Sequence, residues 1–279
     1  MINIVWRLAP LPAILLAALV AVRSGVPIIA FVPNFVALAI GCAALFALDR
    51  WPVDFSKWSF HISCAVLALL ATTLAFNGLD GVHRWIWMGP LSLNVSIAFA
   101  PILVFALRDQ LLRNPSRGIV IVLGTAFLHA LQPDAGQALV FAAGVTTLLL
   151  TARRIDIKLR LFVGLVALAG AVLTLLRPDD LMPVEHVEKI LRLIANQGLP
   201  ETIEMLFAMA TLFAPFWIVR LGSTGRDLTS VSPQAMIATT FLMTSFVVPF
   251  IGNFPTPVFG AGLAGVLSWY ALFALVKNS

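Results

Sequence analysis

Four short stretches carry the polar residues that could do chemistry in this chain. They are "GVHRWIWMGPLS" (81–92), "QPDAGQALV" (132–140), "LPETIEMLFAM" (199–209) and "GNFPTPVFGAGLAG" (252–265). In the third, Glu201 stands where an acid favours a helix N-terminus. Glu204 lies three residues further into an apolar run, deeper than a cap requires, and an ionisable group there is a functional candidate. Apolar surroundings raise a carboxyl pKa, which suits a general base for a hydroxyl. Asp134 follows the helix breaker Pro133 and opens the next apolar run. It is expected to cap that helix and to place a carboxylate at the membrane boundary. Arg84 is a rare cation of its face and suits a phosphate. Trp85 and Trp87 read as interface anchors. In the fourth stretch Pro255 and Pro257 exclude helix, while Gly260, Gly262 and Gly265 allow close packing. There is no P-loop, HExxH or GxSxG, and His129 with Asp134 is too isolated for a zinc site. No cofactor is indicated, and no ligand spacing calls for a divalent cation.

The setting of these residues is a membrane. Of 279 residues, 60% are hydrophobic and 11% charged, and mean hydropathy is +0.99. Soluble chains carry about a quarter charged residues. The fold class expected is an all-α membrane protein, one polytopic domain over 1–279. A pI of 9.9 would suggest nucleic acid in a soluble protein. Here it reads as basic loops on one membrane face, and no nucleic-acid partner is expected. Cys42 and Cys64 form no CxxC and read as packing residues. The first apolar stretch reads as a retained helix, not a removed signal.

Apolar segments of spanning length lie at 26–48, 58–76, 92–112, 158–176, 202–220, 233–251 and 257–276, with a shorter one at 8–22. Residues 118–152 are too long for one span. The loops "RDQLLRNPSRG" before and "TARRIDIKLR" after are both basic, so both belong to the cytoplasmic side. An even number of crossings must separate them, with 118–131 going out and 135–151 returning. About ten transmembrane helices with both termini cytoplasmic follow. Only Arg23, Arg84, Arg177, Lys189 and Arg192 of the 18 basic residues then lie outside. That outer face also gathers Asp80, Asp134, Asp179, Asp180, Glu185, Glu188, Glu201 and Glu204, and the longest loop, about 177–201, between spans seven and eight.

Together the motifs resemble the SEDS family, the RodA and FtsW group of cell-wall polymerases. "GVHRWIWMGP" is similar to its G-x-x-R-W-I-x-L-G-P pattern, "QPDAGQAL" to Q-P-D-x-G-x-A-L, and "FPTPVFGAG" more loosely to I-P-x-P-F-x-S-Y-G-G. The resemblance implies a glycosyltransferase of the bacterial cytoplasmic membrane. Its substrate would be a lipid II-like precursor, a sugar linked to polyprenyl pyrophosphate, and its partner a class B penicillin-binding protein. It implies Asp134 and Glu204 as catalytic residues, with Glu204 matched to the aspartate of the family's L-P-E-x-H-T-D-F stretch through Leu199-Pro200-Glu201. It implies Arg84, Trp85, Gln132 and Ser96 as substrate-binding residues. The family's charged P-S-E-x-x-K places are Ile97 and Ala100 here. Alternative functions are a non-catalytic scaffold for a penicillin-binding protein or divisome partner, and a lipid-linked sugar flippase.

Overall fold

The computed structural model describes residues 4–89, 91–177, 179, 181–222 and 232–278. Asp180, one of the acids assigned to the outer face, lies outside the described residues. The principal helices are α1 (Leu11–Arg23), α2 (Val32–Arg50), α3 (Phe55–Thr72), α4 (Val95–Arg113) and α5 (Pro115–Leu131). After them come α6 (Ala135–Thr151), α7 (Ile157–Leu175), α8 (Leu199–Gly222), α9 (Pro233–Val247) and α10 (Ala264–Lys277). Among the described residues six helical segments, those of α2, α3, α4, α7, α8 and α9, are long and apolar enough to cross a membrane, and the other four principal helices are shorter and apolar. The chain is an all-α integral membrane protein.

The helix boundaries follow from local chemistry. Asp54 caps α3, accepting from the amides of Ser56 and Lys57. Asp156 caps α7 in the same way through Lys158 and Leu159. Asn114 ends α4 and caps α5, whose first residue is Pro115, so the two helices meet without a loop. A proline at that position gives up an amide that has no partner anyway. Helix α4 is the most enclosed, packing against α3, α5, α6 and α10. The outer faces stay greasy: Leu161 and Leu165 of α7 are two-thirds exposed. Lipid solvates such side chains but leaves backbone polar groups to be satisfied within the helix.

Polar contacts gather at two sets of helix ends. At one end Arg7 and Lys277 both pair with Asp49, and Arg113 Nη2 donates to Ser56 Oγ at 3.0 Å. At the other end lie the four stretches that opened the sequence reading. The segment between α3 and α4 folds into a hairpin of β1 (Trp85–Met88) and β2 (Leu91–Asn94), with Trp85 opposite Asn94. No strand was expected there. The 177–201 region contains a short helix, Ile190–Ala195, preceded by turns at 185–188.

One buried amide organises the segment between α9 and α10. Asn34 Nδ2 donates to the carbonyls of Val258 (3.1 Å) and Gly260 (2.9 Å), and its Oδ1 accepts from the Gly262 amide (2.7 Å). Val258 sits at φ +65°, a conformation that costs a β-branched residue. The Asn34 clamp holds it there. Asn34→Ala leaves two carbonyls and one amide unpaired, and is expected to cost at least about 1–3 kcal/mol. The measurement is thermal unfolding of the purified protein in detergent. An unchanged melting temperature would show that the clamp is dispensable.

Candidate functional site

The α5–α6 reversal sets the site. Pro133 ends α5 by lacking an amide donor, and Asp134 caps α6 by accepting from the Gln137 amide at 3.3 Å. The capping role read from sequence is therefore present. Beside it, Arg84 is only 2% exposed. Its Nη2 donates to the Pro133 carbonyl and to Asp179 Oδ2, the latter at 2.5 Å, while its Nε lies 3.5 Å from Asp134 Oδ1. The Phe254 ring lies against the guanidinium, 5.5 Å from centroid to Cζ. Two carboxylates, the buried Asp134 and the partly buried Asp179, thus share one cation. Arg84 holds the Q-P-D turn through these contacts and is not among the residues that line the neighbouring cavity.

Gln132 and Ser96 are also inward-bound. Gln132 is fully buried and donates to the Leu70 carbonyl and Thr73 Oγ1, both at 2.7 Å, and accepts from Ser96 Oγ at 3.3 Å. Thr73 in turn donates to the His83 carbonyl at 2.8 Å. These bonds tie α3, α4 and the hairpin to the α5–α6 turn. Gln132 and Ser96 therefore position the site and do not line it.

A cavity of about 230 Å³ opens next to this cluster. Its wall includes Trp85 and Trp87 of the hairpin, Asn94 and Ile97 at the start of α4, Gln137 of α6, Ser245 of α9 and Ser268 of α10. Its roof is Val184, Val187 and Glu188 on one side and residues 255–257 and 260–265 on the other. The two roof segments are joined main chain to main chain. The Thr256 amide donates to the Val187 carbonyl and the Ala261 amide to the His186 carbonyl, each at 3.0 Å. Thr256 Oγ1 donates to the Glu188 carbonyl at 3.2 Å. A Cβ on Gly260 would stand 2.5 Å from the Val187 carbonyl, so glycine is required by this approach.

The carboxylate of the cavity is Glu188. Its Oε2 accepts from the Val184 amide at 2.6 Å. Burial pushes its carboxyl above the ordinary value of 4.5, over the opposing pull of that amide, Lys189 and Arg84. Burial likewise pulls the neighbouring His186 imidazole below 6.5, against the pull of Glu185. Glu204 lies elsewhere: it is on an exposed face of α8 and does not line the cavity, while Glu201 reaches Arg23 at 3.4 Å. The sequence signal for Glu188 was present but unused. Pro183, His186 and Glu188 repeat the proline, histidine and acid of L-P-E-x-H-T-D-F at the same spacing, which Leu199-Pro200-Glu201 does not. Among the described residues no group of three or more His, Cys, Asp and Glu could hold a metal.

Removing one member of a buried ion cluster leaves uncompensated charge. Arg84→Gln is expected to destabilise by about 3–5 kcal/mol. Adding Asp134→Asn and Asp179→Asn should recover part of that loss, because the stranded carboxylates are then neutral. Chemical unfolding of the three proteins in detergent checks this. Additive losses would mean that the three groups do not act as one cluster.

No protein-family model matches the chain. It is 28% identical over 153 residues to the probable peptidoglycan glycosyltransferase FtsW of Shewanella sediminis, a match covering 49% of this chain and 37% of that protein. Two crystal structures of the Thermus thermophilus rod shape determining protein RodA, one of them a point variant, share its fold. Each has a TM-score of 0.71 at 19% identity and 98% coverage of this chain, with 95% and 94% of RodA covered. A chain from a peptidoglycan synthase complex, solved to describe coordinated polymerization and crosslinking, matches with a TM-score of 0.65 at 21% identity over 96% of both chains. The chain thus has the fold of RodA, and part of it is similar in sequence to an FtsW protein of which it spans little more than a third.

Proposed function

We propose that this protein is a SEDS-type glycosyltransferase of the bacterial cytoplasmic membrane. It would act on a lipid II-like sugar linked to polyprenyl pyrophosphate, with a class B penicillin-binding protein as partner. The observation that carries the reading is Glu188, a carboxylate with raised pKa in the wall of a cavity roofed by two motif segments. The named relatives, a probable peptidoglycan glycosyltransferase and a chain of a peptidoglycan synthase complex, support it. So does the ten-crossing topology proposed from charge, which puts the cavity on the outer side of the membrane. The reading calls for no cofactor.

In this reading the acceptor sugar hydroxyl attacks the anomeric carbon of the donor. The new glycosidic bond forms as the bond to pyrophosphate oxygen breaks, and Glu188 takes the hydroxyl proton. A base in such a place must be ionised to work, and burial makes Glu188 harder to ionise. Activity is therefore expected to fall as pH drops through a limb lying above 4.5. Arg84, Asp134 and Gln132 fix the turn that presents Gln137 to the cavity. Trp85 offers its ring to the sugar from the hairpin side.

Glu188→Gln is expected to leave folding intact and to reduce glycan synthesis from fluorescent lipid II by about 10²–10⁴-fold. Glu204→Gln is the companion variant and is expected to keep wild-type activity. The reverse result would restore Glu204 as the base. Absence of glycan from the unmodified protein with every partner supplied would favour the scaffold reading, toward which Ile97 and Ala100 at the family's charged places already point.

Topology has its own test. In a protein with Cys42 and Cys64 replaced by alanine, an impermeant maleimide added outside cells is expected to label Met182→Cys but not Arg154→Cys. External labelling of the second site would overturn the ten-crossing arrangement.

A further inference from the structure

We propose that Arg113 and Arg117, with Lys57 beside them, form a site for the phosphate of an anionic phospholipid at the helix ends away from the cavity. The site is independent of the sugar chemistry proposed above.

The two arginines stand on either side of the α4–α5 corner, and both are exposed. Helix α3 fixes where their guanidinium groups lie. Arg113 donates through Nη1 to the Ser56 carbonyl at 3.3 Å and through Nη2 to the Ser56 hydroxyl. The Arg117 guanidinium lies over the Phe60 ring, 4.5 Å from Cζ to centroid. Ser56 and Phe60 are four residues apart and so are neighbours on one face of α3. The two cations are therefore held about one helical turn apart, roughly 5.4 Å along α3. The frame beneath them is firm. Buried Gln110 of α4 donates to buried Ser59 of α3 at 2.7 Å. A Cβ on Gly118 of α5 would stand 2.6 Å from the Leu111 side chain of α4, so the corner is tight.

The groups that hold these cations are neutral. A serine and a phenyl ring position the charges and leave them uncompensated. Elsewhere the chain provides its own anions: Arg7 and Lys277 share Asp49, and Arg108 lies 3.9 Å from Asp109. Among the described residues no carboxylate comes within ion-pair distance of Lys57, Arg113 or Arg117. Asp54, at the start of α3, has Oδ1 occupied by the amides of Ser56 and Lys57 and by the Ser56 hydroxyl. Like charges fixed one turn apart repel, and an anion bound between them relieves that repulsion. Phosphate is suited to guanidinium donors.

The surroundings choose the source of the phosphate. Helix α3 is one of those long and apolar enough to cross a membrane. Trp58, in its first turn, is half exposed, and tryptophan prefers the level where headgroups meet acyl chains. Lys57 Nζ lies over the Trp58 ring, 6.0 Å from its centroid. The cations thus stand at headgroup level, and exposed Cys64 and Leu69 further along α3 leave an apolar surface for acyl chains. A free phosphate shares the charge but gains nothing from that surface. A zwitterionic lipid brings an ammonium group to a place that already holds three cations.

The experiment is native mass spectrometry of the full-length protein in detergent, titrated with phosphatidylglycerol and with phosphatidylcholine of the same acyl chains. The unmodified protein is expected to hold its first phosphatidylglycerol on the order of tenfold more tightly than phosphatidylcholine. Arg113→Gln with Arg117→Gln is expected to bring that ratio toward one. Arg117→Gln alone changes an exposed residue and leaves the Ser56 bonds in place. It is expected to give an intermediate ratio, and it decides the matter if the double variant does not fold. Arg153→Gln with Arg154→Gln removes the same charge from the exposed α6–α7 connection and is expected to leave the ratio unchanged.

Equal affinity for the two lipids in the unmodified protein overturns the site. So does a ratio that Arg117→Gln leaves unchanged. An equal fall in the Arg153 and Arg154 variant shows diffuse attraction to a basic face and overturns a defined site. Displacement of phosphatidylglycerol by soluble glycerol phosphate at comparable concentration overturns the assignment to a lipid.

Discussion

Lipid offers no hydrogen bonds, so a polar side chain buried in this helical bundle draws its partners from other parts of the chain. Gln132 meets that constraint most economically. Three bonds from one buried amide join the end of α3, the start of α4 and the α5–α6 turn. Arg84 repeats the solution with charge, tying the hairpin to Pro133, Asp134 and Asp179. Without these two residues the turn between α5 and α6 would have no fixed relation to the hairpin. The cavity wall between Trp85 and Gln137 depends on that relation.

Much of the architecture was legible in the sequence because lipid imposes coarse rules. Apolar length gave the helices, and proline and asparagine or aspartate gave their ends at 114–115 and 133–134. The motifs R-W-I and Q-P-D pointed to residues that the fold does bring together. Their roles were harder to read. Arg84 as an isolated cation suggests an anionic ligand, but its partners Asp134 and Asp179 lie 50 and 95 positions along the chain, and no local pattern announces them. Glu204 stood out because it sits in an apolar helix, yet the exposed side of a lipid-facing helix is also apolar by composition. Glu188 was overlooked because it lies in a polar segment, where an acid attracts no notice. Only the third dimension shows that this segment roofs a cavity. Asn34 gave no signal at all, since a single asparagine near a helix start reads as ordinary.

The electrostatic character of the cavity separates this chain from the pattern of the SEDS family that it resembles. Ile97 lines the cavity and Ala100 is buried, at the places where the family keeps charged residues. Uncharged amides, Asn94 and Gln137, stand in the same wall. Charge in the cavity is concentrated on Glu188, whose proton affinity is set mainly by burial.

The roof bonds from Thr256 and Ala261 to Val187 and His186 run between main chains, and Gly260 allows their close approach. Such a ledge takes no account of which side chains the seated segment carries. Segments of differing length and composition can dock on it and still deliver an acid to the same place. The position of the acid is thereby uncoupled from the identity of the loop that carries it. Under the proposed function, selection on the loop for a new partner or precursor can proceed while the acid stays where the bundle needs it.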